Sequence, residues 1–232
     1  MPTIYGLNKT TLLDYPGHVA ATIFLGRCNF RCPFCHNGGL VLTPELQPVI
    51  PAEEVFAFLE KRRGILTGVC ISGGEPTLEP GLRNFIQRIK ELGYLVKLDT
   101  NGYRPDVIRE LLEDNLLDYI AMDIKNCMEK YGETSGIKGI NTNEIRNSIN
   151  CIQNSEIPYE FRTTIIKEFH TKDDICALAK ELGEVKAYFL QEYKDSEQAI
   201  QQGFHAYEKK EMEEFIELIK PFVPNVALRG VS

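Results

Sequence analysis

The chain has 232 residues, of which 43% are hydrophobic and 25% charged, a balance that is typical of a globular protein and excludes extended disorder. Its 26 basic and 33 acidic residues give a net charge of −7, which disfavours nucleic-acid binding because that needs a basic face. No apolar run approaches the ~18 residues of a membrane span, and the first residues lack a secretory signal pattern. We therefore expect a cytoplasmic protein without a membrane or nucleic-acid partner.

Short apolar runs rich in β-formers alternate with longer amphipathic stretches along the chain. The predicted strands cover 18–24, 68–72, 95–99, 119–123, 159–166 and 185–191, with a short one at 226–229. The predicted helices cover 52–63, 80–92, 106–114, 142–154, 172–182 and 209–220. Polar stretches at 126–143 and 192–207 are expected to be loops.

This alternation predicts right-handed βαβ units and a parallel sheet. Six or seven units are too few for a closed eight-unit barrel, so we expect an α/β fold with an open, partial (β/α)6 TIM-like barrel. The length fits a single domain over 1–232. Within it we expect a functional loop at 26–37 and a C-terminal segment, 192–232, that completes or covers the barrel.

Polar residues follow several predicted strands, at the edge where such folds place their chemistry. They are Ser72-Gly73-Gly74-Glu75, Asp99-Thr100-Asn101-Gly102, Asp123-Ile124-Lys125, and Arg162 within or near the end of its strand. Taken singly, a Gly-Gly pair is typical of a turn, and Asp and Asn commonly cap helices. Their significance therefore depends on what lies beside them.

Three of the seven cysteines lie close together, in the pattern Cys28-x-x-x-Cys32-x-x-Cys35 after the first predicted strand. A structural zinc site would need a fourth ligand, and His36 is poorly placed because adjacent side chains rarely converge on one ion. A [4Fe–4S] cluster held by three cysteines would leave one iron open to bind a substrate or cofactor. The other four cysteines show no Cys-x-x-Cys pairing, so we expect no second cluster.

This cysteine pattern, in a chain of βα repeats, resembles the radical S-adenosylmethionine (SAM) superfamily. The resemblance implies that Cys28, Cys32 and Cys35 hold a [4Fe–4S] cluster whose open iron is chelated by the amino and carboxylate groups of SAM. Reductive cleavage of SAM would then give methionine and a 5′-deoxyadenosyl radical. The residues that the resemblance assigns to SAM are Phe34, Gly73, Gly74, Glu75, Asp99, Asn101, Asp123, Lys125 and Arg162.

Individual roles follow from the same resemblance. Glu75 is expected to balance the methionine amine, Asp123 and Lys125 to contact SAM, and Arg162 to meet its carboxylate or ribose. A monovalent cation near the SAM carboxylate is also expected, held by Asp99, Thr100 and Asp123. Its positive charge would offset the repulsion between two acidic side chains and that carboxylate.

The N-terminal sequence narrows the resemblance. Residues 10–18, Thr-Thr-Leu-Leu-Asp-Tyr-Pro-Gly-His, and the late Leu228-Arg229-Gly230 are similar to activating enzymes of glycyl radical enzymes, above all those for anaerobic ribonucleoside-triphosphate reductase. The resemblance implies an oxidoreductase whose deoxyadenosyl radical takes a Cα hydrogen from a glycine of its partner. Asp14 is expected to contact the partner's backbone. A flavodoxin or ferredoxin would supply the electron, in an anaerobic cell.

Three alternatives stay open at this point. The first is a pyruvate formate-lyase-type activase, with the same chemistry and a different partner. The second is a radical SAM enzyme that acts on a small molecule. The third is a zinc-binding interaction module with no catalytic activity.

Overall fold

The structure, a computed structural model that describes residues 1–231, is built on one sheet. Its strands are β1 (Ile4–Thr11), β2 (Ala20–Leu25), β3 (Gly68–Gly73), β4 (Leu95–Thr100), β5 (Tyr119–Asp123), β6 (Tyr159–Ile165), β7 (Tyr188–Glu192) and β8 (Val226–Arg229). They lie side by side in chain order. β1 is antiparallel to β2, and every later neighbouring pair is parallel. Within the described range β1 and β8 do not pair, so the sheet is open.

Helices connect the parallel strands. They are α1 (Gly38–Leu42), α2 (Ala52–Lys61), α3 (Leu82–Glu91), α4 (Pro105–Glu113), α5 (Tyr131–Ser135), α6 (Thr142–Gln153), α7 (Lys172–Leu182) and α8 (Lys209–Ile219). Between β2 and β8, every strand is joined to the following one by a helical connection. The predicted open (β/α)6 barrel is therefore confirmed. No helix in residues 1–231 combines the length and apolar character needed to cross a bilayer.

The hydrophobic core lies between the sheet and its helices. In α3, Leu82, Phe85, Ile86 and Ile89 recur at helical spacing and are all buried. They belong to the same core as Leu98 of β4. Because right-handed crossovers place all the helices on one side, that face of the sheet is apolar. Each large side chain buried there contributes roughly 1.5–3 kcal/mol.

The opposite face of the sheet, here called the inner face, carries charged side chains. Lys97 and Asp99 of β4 form an ion pair, and Arg162 of β6 lies 3.5 Å from Asp99. Arg229 of β8 donates to both oxygens of Glu160 in β6, at 2.6 and 2.8 Å. The inner face is therefore charged but internally paired, and its charges continue towards the carboxyl ends of the strands.

Some elements differ from the sequence prediction. β1 was not predicted, because its residues show no clean alternation and its pairing with β2 is interrupted by register shifts. Its antiparallel direction corrects the expectation of a purely parallel sheet. The short helix α5 lies inside the stretch predicted to be a loop, 126–143. A helix of five residues has too little local stability to be recognised from sequence, because tertiary contacts must hold it.

Candidate active site at the carboxyl ends of the strands

A cleft lies at the carboxyl ends of β2 to β6. Because parallel strands end at the same edge of the sheet, motifs that are far apart in sequence meet there. The predicted site residues that line it are Cys28, Cys32, Cys35, Gly73, Gly74, Asp99, Thr100, Asn101, Asp123, Lys125 and Arg162. Asp14, Phe34 and Glu75 lie outside its lining.

The cluster loop, residues 26–37, carries three free thiols into this cleft. The Cys35 N–H donates to the Cys32 carbonyl at 3.0 Å, and the Phe30 N–H donates to the Cys28 sulfur at 3.3 Å. Burial raises the pKa of the Cys28 thiol to about 12 and that of Cys32 to about 11. Both thiols therefore keep their protons until a metal displaces them.

The arrangement of these thiols suits a cluster better than a single ion. Within the part of the chain that is described, no three His, Cys, Asp or Glu side chains are arranged to hold one metal ion. A zinc ion needs its thiolates at about 2.3 Å from one point. Cys28, Cys32 and Cys35 instead line the wall of a cleft, and thiolates are the usual ligands of iron–sulfur clusters. The residues present therefore fit a [4Fe–4S] group with space beside it.

Gly73 and Gly74 allow the end of β3 to pack against the cluster loop. Gly73 has a φ of +112°, and a Cβ on either glycine would collide with a backbone oxygen, that of Leu25 or of Arg27. The N–H groups of Gly74 and Glu75 donate to these two oxygens at 2.8 and 2.7 Å. The two glycines thus fix the cluster loop and at the same time expose backbone in the cleft.

Glu75 is held by hydrogen-bond donors from two loops. It is 0% exposed, and its carboxylate accepts hydrogen bonds from the hydroxyl and N–H of Thr77, the hydroxyl of Thr100 and the N–H of Asn101. Burial raises its pKa, and these donors act against that rise. Glu75 therefore joins the loops after β3 and β4 and lies outside the lining of the cleft, and its contact with the methionine amine stays a prediction.

Charged side chains form a paired group on the far wall of the cleft. The Arg162 Nε lies 2.8 Å from Asp123, and the Lys125 Nζ lies 3.3 Å from the other oxygen of the same carboxylate. Burial alone would raise the pKa of Asp123, but the positive charges of Arg162 and Lys125 have the larger effect and lower this pKa to about 2. The pKa values of Lys125 and Arg162 are raised because their acidic partners outweigh burial. All three groups are therefore ionised at neutral pH.

The monovalent cation stays a prediction without support from this geometry. Basic side chains already balance the two acidic residues, since Lys97 and Arg162 pair with Asp99, and Arg162 and Lys125 pair with Asp123. The third residue expected to hold the cation, Thr100, donates its hydroxyl hydrogen to Glu75 at 2.8 Å.

Asn101 connects the loop after β4 to the cluster loop. Its side-chain amide donates to the Asn29 side-chain oxygen at 2.7 Å and to the Cys28 sulfur at 3.6 Å. The sequence resemblance assigned Asn101 to SAM, and the structure adds this contact with Cys28. Asn101 therefore positions Cys28 as well as lining the cleft.

An aromatic side chain different from the predicted one faces the cleft. Phe30 lines it, whereas Phe34 lies outside the lining and packs against Phe169 at a ring-centroid distance of 5.8 Å; both phenylalanines are buried. The pattern of cysteines gives no indication of which loop aromatic turns inwards, because that depends on residues far along the chain. The contact of Phe34 with SAM stays a prediction.

Residues 193–203, here called the strap, cover the cluster loop. The Ile200 N–H donates to the Cys35 carbonyl at 3.3 Å, and the Gln201 N–H donates to the Pro33 carbonyl at 2.7 Å. Gly38 is so close that a Cβ there would lie 2.6 Å from the Gln198 carbonyl oxygen. Sequence reasoning placed these residues in a polar loop and missed this contact, because backbone hydrogen bonds leave no residue signature.

Two other residues take defined positions. His170 is fully buried: its Nδ1 accepts from the Ile166 N–H at 3.1 Å, and its Nε2 lies 2.8 Å from the Lys125 carbonyl. It therefore holds the backbone of Lys125 in place. Asp14 accepts a hydrogen bond from the Thr22 hydroxyl of β2. Its contact with a partner stays a prediction.

The chain resembles known proteins over this whole region. A family model described as the radical SAM superfamily matches residues 22–182. A relative in Methanocaldococcus jannaschii, provisionally named a glycyl-radical enzyme activating enzyme, is 32% identical over 99% of this chain and 96% of its own length. The pyruvate formate-lyase-activating enzyme of Clostridium pasteurianum is 32% identical over 54% of this chain and 53% of its own length.

Solved structures agree on the fold. Streptococcus suis SuiB bound to S-adenosylmethionine matches with a TM-score of 0.67 and 15% identity over 88% of this chain, which spans 48% of SuiB. The matched family uses a [4Fe–4S] cluster and SAM as its cofactors. The chain is thus a redox enzyme that belongs to the radical SAM superfamily.

Proposed function

We propose that this radical SAM enzyme activates a glycyl radical enzyme by removing a Cα hydrogen from one glycine of that partner. The observation that carries the proposal is the similarity, over 99% of the chain, to the M. jannaschii relative with that provisional name. The cleft supports the chemistry, because it places three thiols beside a paired group of charged side chains at one edge of the sheet.

In the proposed reaction, Cys28, Cys32 and Cys35 would hold the cluster, which when bound and reduced would supply the electron for cleavage of SAM to methionine and a 5′-deoxyadenosyl radical. Lys125 and Arg162 carry positive charge to the cleft and are suited to the SAM carboxylate. The ionised Asp123 is suited to the amine or a ribose hydroxyl. Gly73 and Gly74 leave room for the ligand along the backbone.

A glycine is a suitable target because it has no side chain to obstruct the approach of its Cα. We propose anaerobic ribonucleoside-triphosphate reductase as the partner, since residues 10–18 and 228–230 resemble its activating proteins. A pyruvate formate-lyase is the second candidate, because the C. pasteurianum activating enzyme is 32% identical over about half of the chain. A flavodoxin or ferredoxin is the proposed reductant, and Asp14 the proposed backbone contact.

The partner is identified by electron paramagnetic resonance. The reconstituted protein, reduced without oxygen, is mixed with SAM and, separately, with each candidate partner. We expect a glycyl doublet in the reductase sample and one 5′-deoxyadenosine for each radical formed. A doublet in the pyruvate formate-lyase sample alone would reassign the partner, and consumption of a small molecule without any protein radical would overturn the activase proposal.

The three cysteines are tested by substitution. Cys28→Ala, Cys32→Ala and Cys35→Ala should each abolish SAM cleavage, because two thiolates cannot hold the cluster with one open iron. Cys151→Ala is the control, since Cys151 lies on α6, away from the cleft. We expect it to keep about four irons per chain. Normal cleavage by any one of the three variants, or iron loss in the control, would contradict the ligand assignment.

A further inference from the structure

A row of charged side chains on the inner face of the sheet ends at the cleft. Arg162 of β6 lines the cleft, and Glu160 lies two residues earlier on the same strand, so both side chains point to the same face. Glu160 is 1% exposed. A carboxylate buried this deeply needs a partner, and the partner comes from β8, the strand at the open edge of the sheet.

The partner is Arg229, which holds both oxygens of the Glu160 carboxylate. Its Nη1 donates to Oε1 at 2.6 Å, and its Nη2 donates to Oε2 at 2.8 Å. The hydroxyl of Tyr119 also donates to Oε2, at 3.0 Å. The guanidinium carbon of Arg229 lies 3.7 Å from the centroid of the Phe189 ring, which helps to fix its position. A two-pronged contact between arginine and a carboxylate is strong and geometrically specific.

Arg162 lies beside the same oxygen of Glu160 that Arg229 holds. The Nη1 of Arg162 is 3.8 Å from this Oε1 and 3.5 Å from the carboxylate of Asp99. Its Nε donates to Asp123 at 2.8 Å. Asp123 therefore holds the guanidinium at the cleft, while Glu160 is near enough to attract it back along the strand. The strength of that attraction depends on whether Arg229 neutralises the carboxylate.

We infer that Arg229 is a positioning residue for SAM binding: by neutralising Glu160, it leaves Arg162 free to face the ligand in the cleft. Without Arg229, the hydroxyl of Tyr119 would be the remaining hydrogen-bond donor to that carboxylate within residues 1–231. A buried charge left without its partner attracts the nearest cation, which here is Arg162. Arg229 lies outside the lining of the cleft, so it acts through these two residues. The inference rests on the proposed contact of Arg162 with the SAM carboxylate.

The test compares Arg229→Gln with a double variant that also carries Glu160→Gln. Each protein is reconstituted without oxygen and kept oxidised, so that SAM binds without being cleaved, and the dissociation constant is measured by calorimetry. We expect Arg229→Gln to raise the dissociation constant for SAM about tenfold. In the double variant the attracting charge is gone, so the constant should return to within about threefold of the wild-type value. Two changes that only damaged the fold would instead weaken binding further.

Arg146→Gln is the matched control. It breaks an ion pair of the same kind, since the Arg146 Nε lies 2.5 Å from Glu181, but this pair joins the outer helices α6 and α7. SAM binding should not change. Arg229→Lys is a second variant that keeps the charge, and it serves if Arg229→Gln does not fold. Lysine lacks the planar fork, so we expect a smaller loss of affinity, which should also disappear when Glu160→Gln is added.

A second measurement follows the Arg162 side chain itself in the metal-free chain. Its Nε–H, which donates to Asp123, gives a signal in the ¹⁵N spectrum that is assigned by its absence from Arg162→Gln. Arg229→Gln should shift this signal, and the double variant should return it to the wild-type position. The inference is overturned if Arg229→Gln leaves the signal where it was, or if the double variant binds SAM no better than Arg229→Gln.

Arg162→Gln separates this inference from the proposed contact on which it rests. Weaker SAM binding by Arg162→Gln with unchanged binding by Arg229→Gln would contradict the inference alone. Unchanged binding by Arg162→Gln would contradict the proposed contact and, with it, the inference. Neither measurement contains a partner enzyme, so the outcome does not depend on whether the protein activates a glycyl radical enzyme.

Discussion

At the scale of single residues, Glu75 is held by the donors around it. One carboxylate oxygen accepts from the N–H and hydroxyl of Thr77 and from the hydroxyl of Thr100, and the other accepts from the Asn101 N–H. In Glu75→Gln, either orientation of the amide places an NH₂ group against a backbone N–H. We therefore expect the free energy of unfolding to fall by about 1–3 kcal/mol, measured by urea unfolding of the metal-free chain.

The control is Glu110→Gln, the same change at an exposed position of α4, which should shift the free energy of unfolding by less than about 0.5 kcal/mol. If Glu75→Gln unfolds at the same urea concentration as the wild type, the carboxylate is not held by this set of donors. Glu75 would then be free to take the ligand role that its sequence motif indicated.

At the scale of elements, the strap links the C-terminal part of the chain to the cluster loop through two backbone hydrogen bonds. Gly38→Ala should displace it, because the new Cβ would lie 2.6 Å from the Gln198 carbonyl oxygen, which is backbone and cannot rotate away. Losing two bonds of about 1 kcal/mol each should raise the open population of the strap about tenfold or more. Limited proteolysis within 193–203 measures that population, and we expect faster loss of iron in parallel.

Gly39→Ala provides the matched control for the strap. It adds the same methyl group to the same short helix, α1, but there the nearest atoms belong to the flexible end of the Gln47 side chain. Any gain in helix propensity is shared by the two variants and cancels in their comparison. Equal proteolysis rates for Gly38→Ala and Gly39→Ala would mean that the strap does not depend on the close approach at Gly38.

At the scale of the whole molecule, the sequence predicted what local patterns determine. The periodicity of apolar residues predicted the alternation of strands and helices. Because parallel strands end at the same edge of a sheet, it was also predictable that the cysteines, Asp123 and Lys125 lie at one edge. The contacts it missed depend on residues that are distant in sequence. Phe34 packs against Phe169, which lies more than a hundred residues later in the chain, and the strap that contacts the cluster loop follows β7. No local period encodes such contacts.

Global stability should also depend on pH through His170, which joins the loops after β5 and β6. Burial lowers its pKa, the bonds to Lys125 and Ile166 oppose this, and nearby Asp174 and Lys130 act in opposite directions. His170 is therefore neutral in the fold, whereas the unfolded chain binds a proton near pH ~6.5. Below that pH the free energy of unfolding should fall, by at most about 1.4 kcal/mol per pH unit, until the folded-state pKa is reached.

His170→Gln separates this effect from the rest of the molecule, because glutamine keeps a donor for the Lys125 carbonyl but does not titrate. Between about pH 7 and about pH 5.5 the variant should show a flatter dependence of stability on pH than the wild type, even if it is less stable throughout. Asp99 and Asp123 have lowered pKa values and lose their contribution only in more acidic solution, so they do not disturb this window. Equal slopes for His170→Gln and the wild type would show that His170 takes up a proton in the folded protein as readily as in the unfolded chain.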